Sequence, residues 1–450
     1  MNDFTLHIED FGKIESAEIE LAPLTLFVGD NNSGKSYLMA LIYGLFAMDR
    51  FLIKPGVFPS STAEDLLYFD DAIADILSGN KEYVFSADDY ARFERIIDSS
   101  FEHDKNAFTA HIFNKEIPIG NLRIKPHYTG TLSLALPKEP EFNRGNRIAR
   151  PPNLALYSKT DGQKKQMAEW NIESLQGHFF LIYEILAAYL FGSRCNPIFL
   201  PASRTGFMLT YKSLIKHSIE KSFSPNINKT ENGETILTKP CIDFLASISA
   251  ISDEQYKNAP RKDLLHFIET NIMQGKISLS NMPVPDITYT PEGTDTGLSL
   301  HVSSGVVTET TPLLLELANP AVNYLLIEEP EMCLHPGLQK EMARALVKIV
   351  NSGLPVLAST HSDIILQHIN NAIRLKNHPN REKIMQSLGY GDDDLISHED
   401  VRVYQFRSQG TRSHVEKIEF DPDDGFRAKT FTDSLSAILD ETMRIDPEGQ

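Results

Sequence analysis

A chain of 450 residues with 43 Lys+Arg against 61 Asp+Glu carries a formal charge of −18. Its 41% hydrophobic and 23% charged residues are the mix of a soluble globular protein, which excludes collagen-like, disordered and disulfide-stapled chains. The acidic balance counts against a protein that coats nucleic acid non-specifically, because such a surface repels phosphates. At roughly 100–200 residues per domain, the length predicts two or three structural units. Cys195, Cys241 and Cys333 are widely spaced without a CxxC pair and read as three small buried thiols. The N-terminus lacks a basic, then apolar, secretory pattern. The most apolar stretch, Phe179 to Phe191, contains Glu184 and is shorter than the ~20 residues of a bilayer span. A cytoplasmic protein without membrane contact is expected.

Leu6 and Ile8, then Ala17, Ile19 and Leu21, alternate with polar neighbours and predict two antiparallel strands around a turn near Phe11-Gly12. The continuous apolar run Leu24–Val28 predicts a strand buried on both faces. It leads into Gly29-Asp30-Asn31-Asn32-Ser33-Gly34-Lys35-Ser36, and Leu38, Leu41, Ile42 and Leu45 then recur at helical spacing. Helical patterns over 63–77 and 88–99 precede an expected strand meander over 107–113, 120–124 and 130–136. The stretch 138–165, rich in Pro, Asn and Arg, reads as a mobile loop. A long apolar helix is expected over 172–191, a strand at 197–201, and mostly helical structure over 206–280. Strands return at 287–290 and 298–302, and Ser303-Ser304-Gly305 opens a helix. Tyr324–Ile327 is an apolar strand ending in Glu328-Glu329-Pro330. A helix from Pro336 runs to a cap at Gly353. Val356–Ser359 ends at Thr360-His361-Ser362-Asp363, and strands are expected at 401–406 and 414–420.

Gly29–Ser36 matches GxxxxGK[ST]. Its glycines let consecutive backbone N–H groups curl round a phosphate, Lys35 reaches the β/γ-phosphates, and the Ser36 hydroxyl holds Mg²⁺. The buried strand before it and the helix after it supply the required context, since a helix N-terminus favours an anion. The second half of such a site is an acidic residue at the end of another buried strand. Glu328 and Glu329 are placed to bind Mg²⁺ and to polarise the attacking water. His361 ends a further strand, where it can contact a γ-phosphate.

In order, GDNNSGKS, SSG opening a helix, LLIEEPEMCLHP and ASTHSD resemble the ABC-type ATPase heads of SMC and RecF proteins. The resemblance is strongest to the overcoming-lysogenization-defect (OLD) branch and its stand-alone relatives in bacterial anti-phage systems. It covers about 45 residues at the start and about 150 at the end. It implies an α/β P-loop NTPase of ABC-ATPase head type with a large globular α+β insertion between the phosphate loop and the signature. It further implies that Gly29, Asn31, Asn32, Ser33, Gly34, Lys35 and Ser36 bind ATP and that Ser36 and Glu328 hold Mg²⁺. Glu329 becomes the catalytic glutamate and His361 the switch histidine. Ser303, Ser304 and Gly305 match the signature that caps the γ-phosphate held by an opposite subunit, and Leu334, His335 and Pro336 match the D-loop. PASR at Pro201–Arg204 resembles a recurrent element of these heads, with no role assigned to Arg204. Two departures stand out. Glu328 occupies the place of the usual aspartate, and no glutamine occurs between Ser36 and Thr160. A later one (Gln163, Gln166 or Gln176) or another group must then take the place of the Q-loop residue.

These motifs divide the chain into a head part at 1–50, an inserted arm at 51–285 with 195–205 returning to the head, and a second head part at 286–450. No sustained heptad repeat fills the insert, so it reads as a globular arm and not a long coiled coil. Its basic residues, Arg144, Arg147, Arg150, Lys164 and Lys165 among them, are either a nucleic-acid or partner contact or a solvated loop. The stretch after His361 is too short to complete the ATPase and also add a Toprim nuclease. Asp392-Asp393-Asp394 and Asp421-Pro422-Asp423 read as surface turns. The expected function is a slow ATPase that works at least as a homodimer and regulates a separately encoded effector such as a nuclease in phage defence. A RecF-like DNA-repair ATPase acting on DNA directly, and a nucleotide-gated binding module, are the alternatives.

Overall fold

The computed structural model describes residues 4–47, 62–77, 82–127, 130–137, 153–160, 162–171, 178–191, 195–223, 237–282 and 285–445. Its centre is a mixed nine-stranded sheet. The strand order is Asn121–Pro126, Phe4–Phe11, Ile14–Glu20, Arg412–Ile418, Val401–Gln409, Leu24–Gly29, Val356–Thr360, Tyr324–Glu328 and Pro197–Leu200. The last five run parallel, in register Val401 with Leu24, Leu24 with Val356, Val356 with Leu325, and Leu325 with Ile198. The first four form an antiparallel wing, apart from the parallel pairing of Arg412–Ile418 with Ile14–Glu20.

Strands buried on both faces distribute alternate residues to two cores. Leu24, Leu26 and Val28 point to one core with Ile198, Leu325, Ile327, Val356 and Val403. Phe27 points to the other with Tyr324, Leu326, Leu357, Tyr404 and Phe406. The first core is closed by the helices Gly305–Ala318, Pro336–Asn351 and Asp363–Lys376, the second by Lys35–Phe46, Ala87–Phe113 and His178–Phe191. Gly44 allows the close approach within the second. A Cβ there would lie 2.2 Å from Ile112 Cδ1.

Four expectations are corrected. Residues 107–113 are the end of the helix Ala87–Phe113, not a strand. Phe101, Phe108 and Ile112 recur at helical spacing and are all buried, and a Ser86–Asp89 capping box fixes the start. The segment read as a loop over 138–165 contains a β-hairpin, Asn153–Thr160 paired with Gln163–Asn171, in a four-stranded sheet with Glu82–Val84 and Thr131–Ala135. Leu154, Ala155 and Leu156 are buried, and Gly162 takes the positive φ of the turn. Its residues 138–152 lie outside the described residues. The strand expected over 298–302 is reduced to Leu298–Ser299, followed by a 3₁₀ turn. Among the cysteines, Cys195 and Cys241 are half-buried and Cys333 is exposed, which corrects the reading of three buried thiols. No helix among the described residues is long and apolar enough to cross a membrane.

Glu316, on Gly305–Ala318, is an acid inside a core. Its side chain is 1% exposed, Oε2 accepts a 2.8 Å bond from Ser247, and Oε1 has no partner. Burial pushes its carboxyl up to about 8. A raised folded-state value means full stability below the unfolded value near 4.5, lost progressively as pH rises toward 8, by about 1.4 kcal/mol per unit. Glu316→Gln should therefore melt higher than wild type at pH 8 and close to it at pH 5. Equal differences in melting temperature at both pH values would refute this account of Glu316.

Candidate nucleotide site

The phosphate loop leaves the central strand Leu24–Gly29 and enters the helix Lys35–Phe46. Gly29 is required by close approach, since a Cβ would lie 2.1 Å from the Phe406 carbonyl oxygen of the neighbouring strand. Gly34 (φ 100°) and Asn32 (φ 57°) take left-handed conformations, which curl the loop. Ser33 Oγ donates to the Asp30 carbonyl at 2.7 Å and locks that curl. Lys35 is buried beneath it, its Nζ donating to the carbonyls of Gly29 (3.0 Å) and Asp30 (2.6 Å). Burial pulls its pKa down to about 8, against the charges of Glu329, Asp30, Glu331 and Glu328.

The parallel strands next in the sheet deliver the remaining groups to the same end. Glu328 ends Tyr324–Glu328 and is 7% exposed. The Ala202 N–H donates to its Oε2 at 3.0 Å, while Oε1 is buried without a partner. Burial pushes its carboxyl up, against the Ser36 hydroxyl and the Ala202 N–H, which favour the charged form. A buried oxygen lacking a donor, in a carboxylate close to a Ser hydroxyl, suits a hard divalent cation with oxygen ligands. Among the described residues no cluster of three or more His, Cys, Asp or Glu has metal-site geometry, so such an ion would take its other ligands from nucleotide and water.

Glu329 has φ 43°, a strained value for a residue with a Cβ. Its N–H donates to the Ser359 carbonyl at 2.9 Å. Its Oε1 lies 3.9 Å from His361 Nε2. His361 follows Val356–Thr360, and its N–H donates to Glu331 Oε1 at 2.7 Å. Burial and the Lys35 charge pull the His361 pKa down. Asn31, Asn32, Ser33, Gly34, Lys35, Ser36, Tyr37, Glu329 and His361 together line a cavity of about 550 Å³.

The other predicted residues lie apart from it. Ser303, Ser304 and Gly305 open Gly305–Ala318, with Ser304 exposed at the N-cap. Ser304 lines a different cavity, of about 530 Å³, with Tyr289, Glu292, Val306 and Leu338. Leu334 is buried, and His335 caps Pro336–Asn351, its Nδ1 accepting from Gly337. Lys164 and Lys165 sit on the hairpin, where Lys164 pairs with Glu82 and lies over the Tyr157 ring. Arg144, Arg147, Arg150 and Gln176 fall outside the described residues. Neither Gln163 nor Gln166 lines the phosphate-loop cavity, and Gln166 bonds Glu169 on the hairpin. Beside Glu328 stands the Pro201–Arg204 turn instead. Asp394 is consumed in ion pairs with Arg344 and Lys348, and Asp421 accepts the N–H groups of its own turn.

Three contributors were not assigned from sequence. Arg204 is 2% exposed and bonds the carbonyls of Pro201, Glu328 and Glu329. Glu309 pairs with it from the signature helix. Glu331 holds Thr360 and the His361 N–H. Glu331 stands two residues beyond the acidic pair, a signal available in the motif; the Arg204–Glu309 pair bridges segments far apart in the chain.

A family model described as AAA ATPase domain matches residues 4–172 and 203–366, more than half of the chain, which therefore belongs to that family. The fold is that of an α/β ATPase of this family, with the phosphate loop at the end of a buried parallel strand of a large mixed sheet. Among solved structures, the chain is similar to an Smc head bound to the C-winged helix domain of ScpA, at 14% identity and TM-score 0.37, over 94% of this chain and 99% of that one. It is similar to a Pyrococcus furiosus Smc head with an extended coiled coil, bound to the C-terminal domain of ScpA, at 14% identity and TM-score 0.37, over 98% and 99%. An SMC head domain from Thermotoga maritima matches at 11% identity and TM-score 0.33, over 93% and 100%. No curated protein matches the chain.

The depressed Lys35 pKa gives a test in solution. Below pH 8 the ammonium is charged and can meet a phosphate; above it the free protein must first recover a proton, which costs about tenfold in affinity per unit. ATP affinity measured by calorimetry should fall roughly tenfold between pH 7 and pH 9. Affinity that stays flat across this range would mean that burial does not hold Lys35 of the free protein near 8.

Proposed function

With that family membership as premise, we propose that the chain binds ATP with Mg²⁺ in the phosphate-loop cavity and hydrolyses it slowly. The convergence of Lys35, Glu329 and His361 on one cavity, with Glu328 beside Ser36, carries the reading. The loop N–H groups and Lys35 hold the β- and γ-phosphates. Ser36 and Glu328 hold the metal, which supplies positive charge to the phosphate oxygens. Glu329 accepts the proton of the water that attacks the γ-phosphorus, the bond to the β,γ-bridging oxygen breaks, and ADP and phosphate leave. His361, 3.9 Å from Glu329, contacts the γ-phosphate and aligns that carboxylate.

The head is completed in trans in this reading. Ser304 lines a cavity of its own and not the one beneath the phosphate loop, which supports an ATP sandwiched between two copies. Ser303, Ser304 and Gly305 of one copy then cap the γ-phosphate on the other, and Leu334–Pro336 lies along the joint. Residues 51–285 form the arm, apart from the strands that return to the head sheet, and the arm meets a separately encoded effector such as a nuclease. The motif order supports the OLD branch and an anti-phage role, as in Septu- or PARIS-like ATPases. Direct action on DNA is the second reading, favoured by the lysines of the hairpin.

Lys35→Ala should abolish ATP binding in a folded protein. Glu329→Gln should bind ATP normally yet turn over at least about 100-fold more slowly, because an amide cannot accept the proton. Wild-type turnover in Glu329→Gln would move the base elsewhere. For the trans arrangement, Ser304→Arg should bind ATP without hydrolysing it. Mixing it with Lys35→Ala should restore one competent site per mixed dimer. Mixtures that stay inactive while both proteins remain folded and associated would exclude the sandwich.

A further inference from the structure

Arg204 begins the helix Arg204–Phe223 immediately after the edge strand Pro197–Leu200. A guanidinium removed from water this completely needs every donor matched, since an unpaired buried charge is strongly destabilising. Apart from the Pro201 carbonyl of its own turn, which accepts from Nη1 at 3.2 Å, its partners fall into two groups. One is the acidic turn: Nη1 donates to the Glu328 carbonyl at 2.6 Å and Nη2 to the Glu329 carbonyl at 3.2 Å. The other is the signature helix: Nε donates to the Glu309 carbonyl at 2.9 Å and lies 3.3 Å from Glu309 Oε2. Glu309 returns the contact, accepting the N–H groups of Arg204 (3.0 Å) and Thr205 (2.8 Å) and so capping that helix from outside.

A second connection runs beside the first. Thr205 Oγ1 and Thr308 Oγ1 are 2.7 Å apart. The Thr308 N–H donates to the Ser304 carbonyl at 3.1 Å, and its hydroxyl donates to the Gly305 carbonyl at 3.1 Å. Contacts between Ser304 at the exposed helix end and the backbone of Glu329 are therefore continuous. The Glu329 backbone, with φ 43°, is a conformation that persists only where its surroundings over-determine it. Arg204 supplies one of those restraints, and the Ser359 carbonyl another.

Resting on the ATPase reading above, we propose that Arg204 and Glu309 are positioning residues that couple the seating of a second subunit on Ser304–Gly305 to the placement of the Glu329 carboxylate. A shift of the signature helix is passed through Glu309 to the guanidinium, whose rigid fork holds both carbonyls of the acidic turn. The coupling requires no movement of the phosphate loop, because Arg204 makes no bond to it among the described residues.

Two variants and two measurements test this. Arg204→Lys keeps the charge and loses the fork; Glu309→Gln keeps the size and touches neither Glu328 nor Glu329. Without nucleotide, amide exchange over residues 324–334 should speed up about tenfold in both variants, the equivalent of one lost hydrogen bond, and remain unchanged over 29–36. With ATP, affinity should stay within about twofold of wild type while kcat falls at least about tenfold. Should Arg204→Lys fail to fold, Glu309→Gln and Thr308→Val decide, the latter with an effect of about threefold from the lost hydroxyl pair. Unchanged exchange over 324–334 in Glu309→Gln would overturn the coupling. So would a kcat within twofold of wild type in Arg204→Lys. A wild-type protein that does not hydrolyse ATP would defeat the ATPase reading alone, since the exchange experiment contains no nucleotide and still decides whether Arg204 and Glu309 hold the acidic turn.

Discussion

The site is governed by one electrostatic constraint: four carboxylates, Asp30, Glu328, Glu329 and Glu331, surround a single buried lysine. Among the described residues, the one further cation buried at these strand ends, Arg204, is already engaged by backbone carbonyls and Glu309. A bare nucleotide polyphosphate brought into this surplus of negative charge would be repelled, so Lys35 alone cannot account for tight binding. A divalent cation beside Ser36 and Glu328 would offset most of that surplus. Coordinating it would also satisfy the partnerless Glu328 Oε1, a buried oxygen without a donor. The same surplus explains why Lys35 stays near 8 and not lower: burial depresses it and the acids hold it up.

The sheet determines which groups can meet. Leu24–Gly29 lies beside Val356–Thr360, which lies beside Tyr324–Glu328, all parallel and all ending on one side. Whatever follows each strand is therefore delivered to the same rim, which is where α/β sheets gather ligands. The phosphate loop must also pass under the Phe406 carbonyl, which only a glycine at position 29 permits. Pro197–Leu200 adds the outer parallel strand, so the turn after it reaches the acidic pair although it is far away in sequence.

Much of this was legible in the sequence because it is local. A continuous apolar run predicts a doubly buried strand, a 3.6-residue apolar period predicts an amphipathic helix, and a glycine-rich loop between them reads as a phosphate cradle. The failures share a cause. Over 107–113, Phe108, Ala110 and Ile112 fall on alternate positions, which fits a strand until Phe101 extends the helical period backwards. In the hairpin, the buried run Leu154–Leu156 is too short to stand out from the polar residues around it. The Arg204–Glu309 contact joins residues more than a hundred positions apart, and neither residue type announces burial. Sequence periodicity carries no information about which loop will cross a sheet edge to meet which turn.

Two buried arginines make the distinction between architecture and positioning concrete. Arg344 directs its fork chiefly at the side chains of Asp394 and Glu341 and stacks over Phe267 and Tyr390. It fastens the helix Pro336–Asn351 to the Asp392–Asp394 turn, away from the phosphate loop. Arg204 instead directs most of its donors at backbone carbonyls, two of them in the strained acidic turn. Buried ion pairs give little net stability compared with apolar packing of the same volume. Stability alone is thus a weak reason to place a guanidinium between the Gly305–Ala318 helix and Glu329, where an apolar side chain could fill the space. Only a donor fork can fix two consecutive carbonyls and a carboxylate at once. That geometric demand, more than the charge, accounts for an arginine at position 204.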